Sequence, residues 1–149
     1  MNIILPILHS TTLKELTEHI NTLLSKEFQS DRWDLIRFSP EHKKYTLIHS
    51  SAQDGLPDSK KDKFKLSETA LNDLLADDTI HFRKLVISSR LSDYERALAT
   101  YYKWQLIFPI KNPARQIIGV LFIYYPPGKH DNSYIEKLET YFDIFCTAI

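Results

Sequence analysis

The chain has little of several things, and each shortage excludes something. Among 149 residues there is one cysteine, Cys146. A lone thiol forms no internal disulfide, so the composition fits a reducing, cytoplasmic setting. There are three glycines, too few for a glycine-rich loop that cradles phosphates. There is no excess of either charge, because nineteen Lys and Arg balance nineteen Asp and Glu. A neutral chain offers no electrostatic footprint for nucleic acid and none for an anionic membrane. It also lacks one ordinary guard against self-association. No apolar run approaches the roughly 18 residues of a membrane-spanning helix. The opening MNIILPIL is apolar but short and has no basic leader, so it does not read as a signal peptide. The six histidines never fall at metal-ligand spacing such as His-x3-His. The nearest cluster, Asp77-Asp78 with His81, reads as the end of a helix. The lysine-rich run Lys60–Lys65 reads as a solvated charged segment.

What is present is a patterned chain of one domain's length, long enough to bury a continuous core. Leu13, Leu16, Ile20, Leu23, Leu24 and Phe28 recur at helical spacing behind a Thr12/Glu15 capping box, and this helix ends near Gln29–Arg32. Trp33–Ser39 and Tyr45–Ser51 are β-rich runs around a polar turn with Pro40, which predicts a hairpin. Gly55–Lys65 reads as a surface loop. Ser67 caps a short helix to Asp78, Ile80–Arg83 forms a short strand, and Ser92/Glu95 make a second capping box for a helix to Tyr102. Trp104–Lys111 and Gln116–Tyr125 are apolar at odd and even positions alike. Strands of that kind must be covered on both faces, so these two are central in a sheet. Gly119 sits mid-strand, where a missing side chain admits a close neighbour or lets the strand bend, and Pro109 removes one ladder donor. Ser133/Glu136 read as a third capping box, opening a last helix with Tyr134, Ile135, Leu138, Tyr141, Phe142 and Phe145 on one stripe. The order is helix, two strands, helix, strand, helix, two strands, helix. Short turns between sequential strands imply a largely antiparallel sheet in an α+β domain.

At this point the sequence resembles the GAF family. Gln105-Leu106-Ile107-Phe108-Pro109-Ile110 resembles that family's strand ending in proline and an aliphatic residue. Ile118-Gly119-Val120-Leu121-Phe122-Ile123 resembles the strand that follows it, and the closing helix is in the family's position. A PAS-like domain is the other mixed sheet flanked by helices. The long first helix and the Pro-Ile/Gly-Val-Leu pair favour GAF. The resemblance implies a central antiparallel sheet of about five to six strands. The N- and C-terminal helices would lie on one face, with short helices and loops on the other, enclosing a pocket. It also implies a regulatory role toward an attached output domain, such as a histidine kinase, a cyclic-dinucleotide enzyme or a transcription activator. Cys146 lies in the last helix, away from where bilin-binding relatives carry their attachment cysteine. One cysteine also does not supply the thiol chemistry of the methionine-sulfoxide reductases of this fold.

No nucleophile–base pair or paired carboxylates stand out, so the sequence does not read as an enzyme, and it names no cofactor. The pocket of the family directs attention to His49, Phe82, Arg83, Tyr94, Tyr101, Trp104 and Phe108 as candidate ligand-binding residues. Tyr and Trp pair an apolar body with a polar tip. His49 would add a polar contact, and Arg83 would pair with a carboxylate or phosphate. Two functions stay open. One is a sensor of a small-molecule ligand, whose binding would shift Lys84–Asp93 and the terminal helices. The other is an interaction module of the same fold with a filled pocket. Either would form a homodimer through the terminal helices. The apolar-periodic segment running to Ile149 reads as the N-terminal, single-domain part of a longer protein with a C-terminal output domain.

Overall fold

A computed structural model of the chain describes residues 13–30, 32–39, 41, 44–51 and 65–148, with backbone alone at 13, 14, 16, 17 and 141–148. Thr12 of the first expected capping box, most of the expected Gly55–Lys65 loop and the side chain of Cys146 lie outside that description. Nine elements follow in the expected order. They are α1 (Leu13–Glu27), β1 (Trp33–Ser39), β2 (Lys44–Ser50), α2 (Glu68–Ala76), β3 (His81–Lys84), α3 (Asp93–Tyr101), β4 (Trp104–Lys111), β5 (Ile117–Tyr125) and α4 (Ser133–Ala148).

The five strands form one sheet in the order β2-β1-β5-β4-β3, and every neighbouring pair is antiparallel. β5 and β4, the strands with apolar residues at both odd and even positions, are interior. Successive side chains of a strand point to opposite faces. Leu121, Ile123 and Tyr125 therefore join Ile20, Leu23, Leu24 and Phe28 of α1 and Tyr134 and Leu138 of α4 on one face. Val120, Phe122 and Tyr124 join Ala70 and Leu74 of α2 and Leu98 of α3 on the other. The terminal helices thus cover one face and the short helices the other.

Local chemistry explains most of the boundaries. Gln29, at φ 52°, turns the chain out of α1, and Ser30 N–H closes on the Leu24 carbonyl at 3.1 Å. Ser67 Oγ accepts from Ala70 N–H at the start of α2. Ser92 and Glu95 form the reciprocal capping box of α3. The start of α4 differs from the sequence expectation. Ser133 is inside the helix, and the acceptor is Asp131, whose Oδ1 takes the Ser133 N–H at 2.9 Å. This hydrogen bond holds the Asp131 carboxyl below its ordinary pKa. A carboxylate is the better acceptor for a helix-start donor, so it displaces the hydroxyl as cap. β3 pairs with β4 only as far as Ile107, so among the described residues Pro109 lies where one side of β4 carries no strand. The close neighbour of Gly119 is the Ile36 carbonyl oxygen, which a Cβ would approach to 3.1 Å.

Candidate functional site

The face under α2 and α3 is not uniformly apolar. Asp34 shares its side of β1 with Ile36 and Phe38 and is completely buried. Arg32, just before β1, extends the ladder through its carbonyl, which accepts from Tyr124 N–H at 3.0 Å. Its side chain lies on the same face as Asp34, with Nη2 3.5 Å from Asp34 Oδ1. Burying two charges costs several kcal/mol each before their attraction and hydrogen bonds are counted. Here the surroundings supply those bonds.

Asp34 orders every proton around it, because an ionised carboxylate only accepts. Ser50 Oγ donates to Asp34 Oδ1 at 2.6 Å. Tyr94 OH and Tyr124 OH donate to Asp34 Oδ2 at 2.7 and 2.9 Å. Having spent their protons on the carboxylate, those hydroxyls accept from elsewhere. Arg32 Nη1 donates to Ser50 Oγ at 2.7 Å and Nη2 to Tyr94 OH at 2.6 Å. Gln105 Nε2 donates to Tyr124 OH at 3.4 Å. Burial first, and the Asp34 charge second, hold both phenols well above their ordinary pKa. Tyr94 and Tyr124 are therefore neutral donors at physiological pH.

The row continues to the far edge of the sheet. Gln105 is opposite Tyr124 on one side and Arg83 on the other. Directly opposed residues share a face. Arg83 Nη1 lies 3.3 Å from Glu95 Oε2, and its Nε lies 3.8 Å from Asp73 Oδ2 of α2. Glu95 is buried, and its Oε1 accepts from Ser67 N–H at 2.9 Å and Ser92 N–H at 3.0 Å. One carboxylate thus closes the starts of both short helices and ties them to β3, where the helix dipoles favour negative charge. Ser50, Asp34 with Arg32, Tyr124, Gln105 and Arg83 make a polar row across all five strands. Tyr94 and Glu95 bind α3 to it.

The seven candidate residues divide between the two faces. Tyr94 and Arg83 belong to the polar row. Arg83 directs its guanidinium to two carboxylates of its own chain instead of toward an incoming anion. His49 packs against Trp33 on the α1 side, ring centroids 5.0 Å apart. Phe82, Trp104 and Phe108 also lie on the face of the terminal helices. Phe82 meets Trp104 edge-on at 6.3 Å, and His130 stacks on Trp104 at 4.2 Å. Tyr101 ends α3 and is exposed. Sequence reasoning passed over Arg32, Asp34, Ser50, Glu95, Gln105 and Tyr124. A signal existed for two of them. Asp34 and Gln105 are polar residues at positions sharing parity with the apolar Ile36 and Ile107, on a face those strands bury.

His81 carries no ligand-like set. Its Nδ1 is 2.7 Å from the Thr79 carbonyl and 3.7 Å from Asp77, the C-cap of α2. Among the described residues no group of three His, Cys, Asp or Glu could hold a metal ion. Among them, too, no helix is long and apolar enough to cross a membrane.

An antiparallel 2-1-5-4-3 sheet with terminal helices on one face and two short capped helices on the other defines a GAF-like α+β fold. Solved structures share it. The GAF domain of an Acinetobacter phosphoenolpyruvate-protein phosphotransferase superposes with a TM-score of 0.69 at 15% identity, covering 98% of this chain and 87% of that one. The GAF domain of a Bacillus halodurans two-component sensor histidine kinase gives 0.63 at 18% identity over 94% and 95%. That of a Coxiella burnetii phosphoenolpyruvate-protein phosphotransferase gives 0.64 at 17% over 98% and 86%. At these identities the likeness is one of fold. No protein-family model matches the sequence, and no curated protein matches it.

Proposed function

We propose that this chain is the small-molecule-binding regulatory domain of a bacterial signal-transduction or transcription-regulatory protein. The ligand would lie between the sheet and the α2/α3 layer. The observation that carries the reading is the buried polar row, with Tyr94 and Glu95 of α3 fastened to it. Polar groups held in fixed geometry within an apolar face are what orients a small ligand. A molecule entering there competes for the Tyr94 and Glu95 contacts. It thereby biases the position of α3 and of the Lys84–Asp93 segment that leads into it. The fold likeness to GAF domains from a sensor kinase and from phosphotransferase proteins supports a regulatory rather than catalytic role. In this reading the domain is cytoplasmic. It dimerises through α1 and α4, passes the shift to an attached C-terminal output domain, and makes no direct contact with nucleic acid or membrane.

A second reading has its own observation. Asp34, Ser50 and both tyrosines satisfy one another, with the two Nη atoms of Arg32 donating to Ser50 and Tyr94, as the core of a non-ligand-binding dimerisation module would. Native mass spectrometry of the chain purified from its host separates the two. A stoichiometric extra mass supports the sensor. A bare dimer with no thermal shift across a metabolite panel overturns the sensor in favour of the interaction module.

A further inference from the structure

The proton order around Asp34 reaches one more group and leaves it incomplete. Tyr124 gives its only proton to Asp34, so the amide of Gln105 must present its Nε2 to that hydroxyl. The Oε1 end is thereby turned away from Tyr124. It is buried, Gln105 being 2% exposed, and it has no hydrogen-bond partner among the described residues. A buried acceptor of this kind is costly unless something donates to it. The apolar cluster of the same face holds Tyr102, whose ring centroid is 5.8 Å from that of Tyr124, with Leu85, Leu98 and Ile107.

The charges nearby narrow what that donor can be. Both guanidiniums on this face are already paired, Arg32 with Asp34 and Arg83 with Glu95 and Asp73. The two buried carboxylates, Asp34 and Glu95, balance these two cations, and the exposed Asp73 adds a further negative charge at the rim. An anionic ligand would meet no uncompensated cation in a medium that screens poorly. We infer that Gln105 Oε1 is the recognition point for a small uncharged ligand with an N–H or O–H donor edge, such as a carboxamide or aromatic amine, and that the site discriminates against carboxylates and phosphates. This rests on the sensor reading and gives it a ligand class. Arg83, the residue whose type suggests anion binding, serves instead to hold Glu95 and α3 in place.

The test uses matched probes on the 15N-labelled chain: benzamide against benzoate, and nicotinamide against nicotinate. The Gln105 side-chain amide resonance is assigned by its loss in Gln105→Met, with Gln105→Leu as the second variant should the first not fold. The expected result is that both amides move that resonance and bind at least about tenfold more tightly than their acids. The variants should weaken amide binding by about tenfold, the effect of one net hydrogen bond, while keeping or raising the melting temperature. Acids binding as tightly as amides, or amides binding the variants unchanged, overturns the inference. If no probe binds but the host-purified chain carries another small molecule, the donor-edge assignment falls and the sensor reading stands. If no probe binds and the chain is bare, both fall.

Discussion

Replacing Asp34 by asparagine changes almost no volume and tests the buried row directly. The native carboxylate accepts from Ser50, Tyr94 and Tyr124 and faces the buried Arg32 guanidinium. An amide keeps one acceptor and presents an NH2 where a second acceptor stood. At least one of the three hydroxyls then meets a donor. Arg32 also keeps its charge without a formal counter-ion. Breaking a buried pair by removing one charge costs about 3–5 kcal/mol, and the packing is nearly unchanged, so no cavity contributes. With a urea m-value of about 2 kcal/mol/M the midpoint should fall by about 2 M. Equilibrium urea unfolding followed by tryptophan fluorescence reads this, since Trp33 is buried next to Asp34 in β1. The double variant Arg32→Met with Asp34→Asn should recover more than about 1 kcal/mol of the loss, because the unpaired charge is gone. A single-variant loss under about 1 kcal/mol, or no recovery in the double, would show that Asp34 does not organise this face through its charge.

Three other outcomes follow from the same geometry. Tyr94, Tyr124 and Tyr125 all have folded-state pKa values raised, by burial first. Their contribution is therefore complete below an unfolded phenol pKa of about 10 and is lost as pH rises beyond it. Stability should fall by about 1.4 kcal/mol per pH unit for each tyrosine, and Tyr94→Phe should flatten the slope measured by urea unfolding above pH 10. Glu95→Gln retains an acceptor for Ser67 and Ser92 N–H and should cost about 1 kcal/mol, whereas Glu95→Ala abandons both helix starts and Arg83 and should cost about 2–3 kcal/mol. Equal losses in thermal or urea unfolding would refute the double-cap role. Gly119→Ala should cost about 1–2 kcal/mol, because its Cβ meets a backbone oxygen of the ladder that has little room to move; an unchanged urea midpoint would count against that close approach.

Much of the fold was legible because the relevant signals are local. The Ser67 and Ser92 caps were readable since the side chain and the donors it serves are three residues apart. The interior place of β4 and β5 was readable from apolar residues at both parities. The Ser133 cap misled because two acceptors compete two residues apart and their ranking depends on geometry. The candidate site was far less legible. Aromatic residues were gathered by where the resembled family's pocket would lie, but parity within β3 and β4 sends Phe82, Trp104 and Phe108 to the face opposite Tyr94 and Arg83. Arg83 looked like an anion partner because its own counter-ions, Asp73 and Glu95, are ten and twelve residues distant.

By itself, the sequence determined the order of elements, the helix starts at Ser67 and Ser92, and the two-sided burial of β4 and β5. Each of these depends on periodicity or on residues within a few positions of one another. Only the tertiary structure decided that Ser50, Arg32, Asp34, Tyr124, Gln105 and Arg83 form one row, and that Asp34 sets its proton order. Those residues lie on or beside five strands, and hydrogen-bonded partners such as Asp34 and Tyr124 are ninety positions apart. The pairing register that brings them side by side is a property of the assembled sheet, and no local pattern encodes it.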